Sequence, residues 1–501
     1  MLTRSYMNPG SSKNLLAYTP MIHARLFSET PKFRDHNFQP IRSGLTSLPD
    51  PATLSSSDIY LDGNPLIDRP LFVQFCANDP DQLLEAARYV QPFCDAVDLN
   101  LGCPQGIARR GRYGAFLQDD WDLIYKIINK LHKNLDVPVT AKIRILDTKE
   151  KTLEYAKVIL SAGASVITVH GRQRDQKGHN TGLADWSVLR YLRESLPPDT
   201  VIFANGNILQ HGDIDKCLEE TGADGVMSAD GNLHDPTIFA KAPEVGREGR
   251  EYWRGRNQVG GYRVDAVFRR YMDILYQYVL DETPPTRKPL FLPTDTPYED
   301  NEQAIAEDES ADAHDQPPAK RQKRDKNIKP TSLNLLAMQA HLFNLLRPLV
   351  SKHTDIRDAL AHIRGGEISA FEGVLRMTER AVKGGLMDYE ANSSNYENFT
   401  LPEIPNGVQE DTEGKDESSV ATVNACKRPW WICQPYVRPL PKEALAKGSL
   451  QLSKKERKKQ EEDLACKNLL ARQSGQSERE KLDEADGLPR AEMPKESMVC
   501  G

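Results

Sequence analysis

The sequence predicts an α/β fold: a TIM-type (β/α)8 barrel one strand short of closure, followed by a small C-terminal helical domain. Between Leu71 and about residue 240, short apolar runs alternate with amphipathic stretches at helical spacing. The runs are almost continuously apolar, as in parallel strands covered by helices on both faces. Each unit takes roughly 30 residues, which suits a barrel better than an open dinucleotide-binding sheet. No G-x-G-x-x-G follows any run, which weakens that alternative further.

Taken in order, Leu15 to Ile22 reads as a first strand and 25–69 as a loop rich in Arg, Ser and Pro. Leu71–Phe75 is a second strand, followed by a helix over Asp79–Val90 with Asp79 as cap before Pro80. The alternation then runs through strands at Ala96–Leu101, Pro138–Ile143, Ser165–His170, Val201–Asn205 and Gly225–Ser228. Their helices are expected at Asp120–Leu131, Lys149–Ser161, Ala184–Leu192 and Gly212–Thr221, with a short one after Pro236. Gly163, Gly222 and Pro197-Pro198 fall where helices should stop.

Residues 1–14 read as a short polar N-terminal remnant, and the barrel occupies 15–245. Residues 246–283 and 331–387 form the helical domain, which ends at Gly384-Gly385. Segments 284–330 and 388–426 read as disordered linkers, and 427–501 as an aromatic cluster at Trp430-Trp431 plus a charged tail. Packing into the core is the better reading of that cluster.

The chain of 501 residues has a net charge of −7, which announces no nucleic-acid partner. Local charge is less even, since acidic 299–309 precedes Lys320-Arg321-Gln322-Lys323-Arg324. Eight cysteines stand without C-x-x-C spacing, which argues against zinc and disulfides and for a reducing compartment. No apolar run approaches the length of a membrane span, so no membrane partner is expected. Cytoplasm, nucleus or both are expected; 320–324 reads more readily as a solvated basic run than as an import signal, and the protein is expected to be a monomer.

The functional signal lies where the apolar runs end. They terminate in Gln74, Asn100, Lys142 with Arg144, His170 with Arg172, Asn205-Gly206-Asn207 and Ala229-Asp230. A polar residue at one strand end is ordinary, but in a parallel barrel these ends converge on one site. The turns Asn205-Gly206-Asn207 and Ala229-Asp230-Gly231 follow late strands, the usual barrel location for a phosphate. Gln74 can both donate to and accept from a ring edge, and Lys142 can balance negative charge on a heterocycle. A phosphorylated planar cofactor, flavin mononucleotide (FMN), fits this set. No carboxylate group with metal spacing appears, and no G-x-S-x-G.

The break after Ala96–Leu101 presents Gly102-Cys103-Pro104, and Pro104 biases Cys103 toward extended backbone. A thiol of ordinary pKa, about 8.5, is protonated at neutral pH. Cys103 can therefore serve as the proton donor in reduction of an activated C=C bond.

With these residues in hand, the sequence resembles the tRNA-dihydrouridine synthases. The resemblance is carried by Leu99-Asn100-Leu101-Gly102-Cys103-Pro104, Lys142-Ile143-Arg144, His170-Gly171-Arg172, Ala184-Asp185-Trp186 and Asn205-Gly206-Asn207. Arg112-Tyr113-Gly114-Ala115-Phe116-Leu117 and Met227-Ser228-Ala229-Asp230 resemble the eukaryotic branch that modifies the D-loop. It implies that hydride passes from reduced FMN to uracil C6 while Cys103 protonates C5, with NADPH or NADH as reductant. It also implies that Gln74, Lys142, His170, Asn205, Gly206, Asn207, Ala229 and Asp230 hold the flavin.

The substrate implied is tRNA, gripped in part by the helical segment around His341 and Arg347. Asn100, Arg109, Arg110, Arg112, Arg144 and Arg172 are the expected substrate contacts, the arginines meeting phosphate. Two features depart from the family pattern. The Ala-Pro-Met-type opening strand is missing, because Tyr18-Thr19-Pro20-Met21 matches the second strand. Ala229-Asp230 stands where many relatives have Gly-Arg. The first departure leaves open an N-terminally incomplete sequence or weakened flavin binding. Two alternatives to the synthase remain: a catalytically impaired tRNA-binding protein, and another FMN barrel oxidoreductase.

Overall fold

The structure is a computed structural model that describes residues 1–295, 333–397 and 429–433, apart from 9, 11, 51–57, 178–181 and 364–365. Its centre is a curled, wholly parallel sheet. The strands are β1 (Ala17–Tyr18), β2 (Ile22–His23), β3 (Leu71–Cys76), β4 (Ala96–Leu101), β5 (Val139–Arg144), β6 (Val166–His170), β7 (Val201–Asn205) and β8 (Gly225–Met227).

β1 and β2 both pair with β3, so the expected first strand is one interrupted strand. Ala17 stands opposite Leu71, but Ile22 stands opposite Phe75, so Thr19–Met21 takes up one extra residue. Among the described residues β1 and β8 end the ladder without meeting, so the sheet there is one strand short of a closed barrel, as expected. Across that seam lies a short helix, Leu2–Ser5, in the stretch expected only as a polar remnant. Thr3 donates to Asn232 beyond β8, and Arg4 donates to the carbonyls of Asp68, Arg69 and Pro70 leading into β3.

Strand side chains alternate in direction. Leu71, Val73, Phe75, Val97, Leu99, Ala141, Ile143, Ile167, Val169, Ile202 and Ala204 pack outward, with the helices, in one core. The opposite parity holds Gln74, Asp98, Asn100, Thr140, Lys142, Thr168, His170 and Asn205, which face the barrel axis. Two contacts across the interior establish this: Tyr18 Oη lies 3.1 Å from Thr168 Oγ1, and Lys142 Nζ donates to Asn205 Oδ1 at 3.0 Å.

The outer helices start on side-chain caps that satisfy the exposed first-turn N–H groups. Asp79, Asp120, Thr148 and Asp185 cap helices Pro80–Val90, Trp121–Asn134, Lys149–Ser161 and Trp186–Ser195. Gly222, at φ +66°, ends Gly212–Thr221. The short helix expected after Pro236 precedes it instead, at Asp230–His234. The expected loop 25–69 contains helices Ala24–Glu29 and Pro31–Asn37, locked by a buried Arg34 that donates to the carbonyls of Phe27, Ser28 and Leu45.

The helical domain has its own core, where Phe268, Met272, Met338, Leu342, Phe371 and Leu375 are fully buried. It opens with an unexpected hairpin, β9 (Tyr252–Arg254) and β10 (Gly260–Tyr262). The long helix Ile368–Asn392 runs through Gly384-Gly385 instead of ending there. Gly385 serves packing, because a Cβ on it would sit 2.9 Å from Trp431 Nε1. Trp431 and Ile432 complete this core, as the packing reading of the aromatic cluster expects.

The first dozen residues assigned to a linker are part of the fold. Arg287 pairs with Asp273 and Glu372, Leu290 is buried, and Arg250 grips Asp295 with two bonds. The basic run 320–324 and the charged tail lie outside the described residues.

Arg263 and Asp265 form an ion pair only 1% exposed at both side chains, and Arg263 also donates to the carbonyls of Arg250 and Phe291. Asp265→Ala leaves a buried guanidinium unpaired and should destabilise the helical domain by about 3–5 kcal/mol. A urea titration followed by intrinsic fluorescence checks this, and an unchanged midpoint contradicts it.

Candidate active site

The candidate site is built on the inner face at the C-terminal ends of β3 to β7. In register, Gln74 faces Asp98 and Asp98 faces Thr140 on neighbouring strands. Asn100 pairs with Lys142, Arg144 with His170, and His170 with Asn205. The ladder alone therefore gathers Gln74, Asn100, Lys142, His170 and Asn205 at one mouth.

Hydrogen bonds bind three strands and a loop into one array. Asp98 accepts from Thr140 Oγ1 at 2.6 Å and from Gln74 Nε2 at 2.9 Å. Gln74 Oε1 accepts from Asn100 Nδ2 at 2.7 Å. Asn100 Oδ1 in turn accepts the backbone N–H groups of Gly102 and Cys103, at 3.1 and 2.9 Å. Asn100, expected to contact substrate, thus shapes the turn that carries the thiol. Asp98 is fully buried, and its burial pushes the carboxyl up to about 6, against the pull of Thr140, Gln74 and Lys142.

Cys103 is buried beside Cys76, Ala108 and Tyr113, with Met21 packed on the cluster. The turn around it is tight: its carbonyl accepts the Ala115 N–H at 3.1 Å. Gly114, at φ +63°, passes so close that a Cβ would lie 2.8 Å from the Cys103 oxygen. Neither Asp98 nor Gly114 was singled out from sequence. An ionisable residue inside an apolar run, two positions before Asn100, was the available signal for Asp98.

Two expected substrate arginines are placed otherwise. Arg144, 4% exposed, donates to the carbonyls of Gly102, Gln173 and Gln176, and so ties the cysteine loop to the loop after β6. Arg172, 2% exposed, donates to the Gly182 carbonyl and to Asn207 Oδ1. Loop carbonyls that sequence does not display engage both guanidiniums within the chain. Arg172 also lies 2.9 Å from His170 Nε2, and a guanidinium can only donate. The pair is a hydrogen bond in the tautomer whose Nε2 carries no proton.

Asn207, expected to hold cofactor, also takes the Ala184 N–H and donates to the Ala184 carbonyl. Its φ of +64° and that of Gly206, +111°, define the turn after β7. Asn205 donates to the Met227 carbonyl, which joins this turn to β8, and Ala229-Asp230 opens the short helix that follows. Arg109, Arg110 and Arg112 are exposed on and just after helix Gly106–Gly111, beside the cysteine. Among the described residues no cluster of side chains could hold a metal ion.

Residues 6–279 match the family model described as dihydrouridine synthase (Dus). The chain is 40% identical over 431 residues to tRNA-dihydrouridine(16/17) synthase, an NAD(P)(+) enzyme by name, from Saccharomyces cerevisiae. That match covers 85% of this chain and 78% of the relative. The protein of the same name from Schizosaccharomyces pombe is 38% identical over 426 residues, covering 85% and 82%. A like-named protein of Rattus norvegicus is 32% identical over 461 residues, covering 91% and 77%. The chain belongs to the dihydrouridine synthase family.

Proposed function

We propose that the protein is a flavin-dependent tRNA-dihydrouridine synthase that reduces the C5–C6 bond of a D-loop uridine in tRNA. The observation that carries this reading is the gathering of Gln74, Asn100, Lys142 and His170 on one inner face, beside a loop that holds Cys103. The donor set suits FMN: an amide, an ammonium and an imidazole line the mouth, and the turns after β7 and β8 adjoin.

Gln74, Lys142 and His170 would hold the ring, with backbone of Asn205–Asn207 and Ala229–Asp230 toward the phosphate. When bound, and reloaded by NADPH or NADH, the flavin supplies hydride to uracil C6. Cys103 holds its proton at Sγ and delivers it to C5, and the Asn100 contact to its backbone fixes where the thiol stands. The target uridine must leave its stack to reach the thiol, and Arg109, Arg110 and Arg112 would steady the flanking phosphates. In this reading the enzyme acts as a monomer in cytoplasm, nucleus or both.

The primary test is conversion of uridine to dihydrouridine in unmodified tRNA by yellow, FMN-loaded protein with NADPH. Colourless protein that still binds tRNA would instead favour a non-catalytic binder. Cys103→Ala should keep flavin colour and tRNA binding while slowing dihydrouridine formation by about 10²–10⁴-fold, read by nucleoside mass spectrometry. Gly114→Ala forces a Cβ onto the Cys103 carbonyl at a positive φ. It should lower kcat without abolishing tRNA binding. Replacing Arg109, Arg110 and Arg112 together by Ala should reduce the slope of log Kd for tRNA against log salt by about 2 to 3.

A further inference from the structure

We propose that Asp98 is a positioning residue: its carboxylate fixes the direction of the Gln74 and Asn100 amides, and through them both the cofactor-facing amide and the Cys103 turn. For its cofactor arm the proposal rests on the reading above. Its arm at the cysteine turn does not.

The argument is one of donors and acceptors. Asp98 lies on the inner face of β4, fully buried, with Thr140 and Gln74 as its direct neighbours in the sheet. An ionised carboxylate only accepts, so the nitrogen of Gln74 must turn toward Asp98 and its oxygen toward Asn100. That oxygen requires a donor, so Asn100 must offer Nδ2 and keep Oδ1 for the loop. At the far end stand two backbone N–H groups, of Gly102 and Cys103, which only donate. Acceptor-only at one end and donor-only at the other, the relay has a single polarity. A flip of either amide sets oxygen against oxygen and N–H against N–H.

Gln74 and Asn100 are themselves 7% and 5% exposed, so water has little room to repair such a mismatch. A proton on the carboxyl does not break the relay either. It fits on Oδ1, where the Thr140 hydroxyl can turn to accept, and Oδ2 remains an acceptor for Gln74. What matters is an oxygen facing Gln74.

This separates a directional role from mere filling of space. Asp98→Asn can keep an oxygen toward Gln74 while its NH2 donates to Thr140, so the relay should survive. Asp98→Leu has similar bulk and offers no acceptor. Two readouts are taken on the full chain: the Kd for FMN of apoprotein, by quenching of flavin fluorescence, and amide hydrogen exchange at Gly102 and Cys103, by mass spectrometry. Asp98→Asn should stay near wild type in both. Asp98→Leu should weaken FMN binding and speed exchange at the two amides by about 10-fold or more, the loss of one hydrogen bond to a charged group.

If Asp98→Leu fails to fold, Asp98→Val takes its place: a β-branched residue suited to a strand that likewise offers no acceptor, and it should lose both properties. The proposal is overturned if the folded apolar variant matches wild type, or if Asp98→Asn is impaired as severely as the apolar variant. Failure of wild-type protein to bind FMN would sink the cofactor reading alone, since the exchange measurement still decides the relay.

Discussion

The architecture depends on the alternation of side chains along parallel strands. Each strand has one set of residues for the helices and one for the axis. In this chain the outward set is apolar and the inward set near the mouth is polar. The apolar set drives folding through burial. The polar set is tolerated because cross-strand neighbours satisfy one another, as Asp98 does with Gln74 and Thr140. Stability and chemistry thus occupy opposite faces of the same five- and six-residue segments, and neither intrudes on the other.

Buried arginines do a second job throughout. Arg4, Arg34, Arg144, Arg172 and Arg263 are each less than a tenth exposed, and each donates to main-chain carbonyls. A guanidinium presents five N–H donors in a fixed plane, so one side chain can pin two or three irregular segments that have no ladder of their own. Around the mouth this is how loops stay rigid enough to hold chemistry. Arg144 links the turn carrying the thiol to the loop after β6, and Arg172 links the imidazole to the turn after β7.

These two habits explain which parts of the molecule were legible in the sequence. The strands and their order were readable because apolar runs of five or six residues recur with capped helices between them. Gln74, Lys142, His170 and Asn205 were readable because strand ends in a barrel converge. The internal bonds of Arg144 and Arg172 were not readable, because composition cannot tell a guanidinium facing water from one facing a carbonyl. Segment 284–295 misled for the same reason: proline and charge suggested a linker, yet its charges find fixed partners in Arg250, Asp273 and Glu372. Gly384-Gly385 looked like a stop, yet the helix runs through both, and Gly385 is a close approach for an indole.

The extra residue between β1 and β2 carries a further consequence. Tyr18 turns toward the axis and Ile22 toward the core, four positions apart, which a regular strand would not permit. Removing one residue from 19–21 would bring the run back into step with β3, with Tyr18 still opposite Phe72 and the isoleucine still opposite Phe75. The surplus residue is thus not what sends either side chain to its face; the kink it makes instead sets Thr19 Oγ1 to accept the Gln74 N–H at 3.0 Å, a tie between the sheet edge and an amide of the mouth.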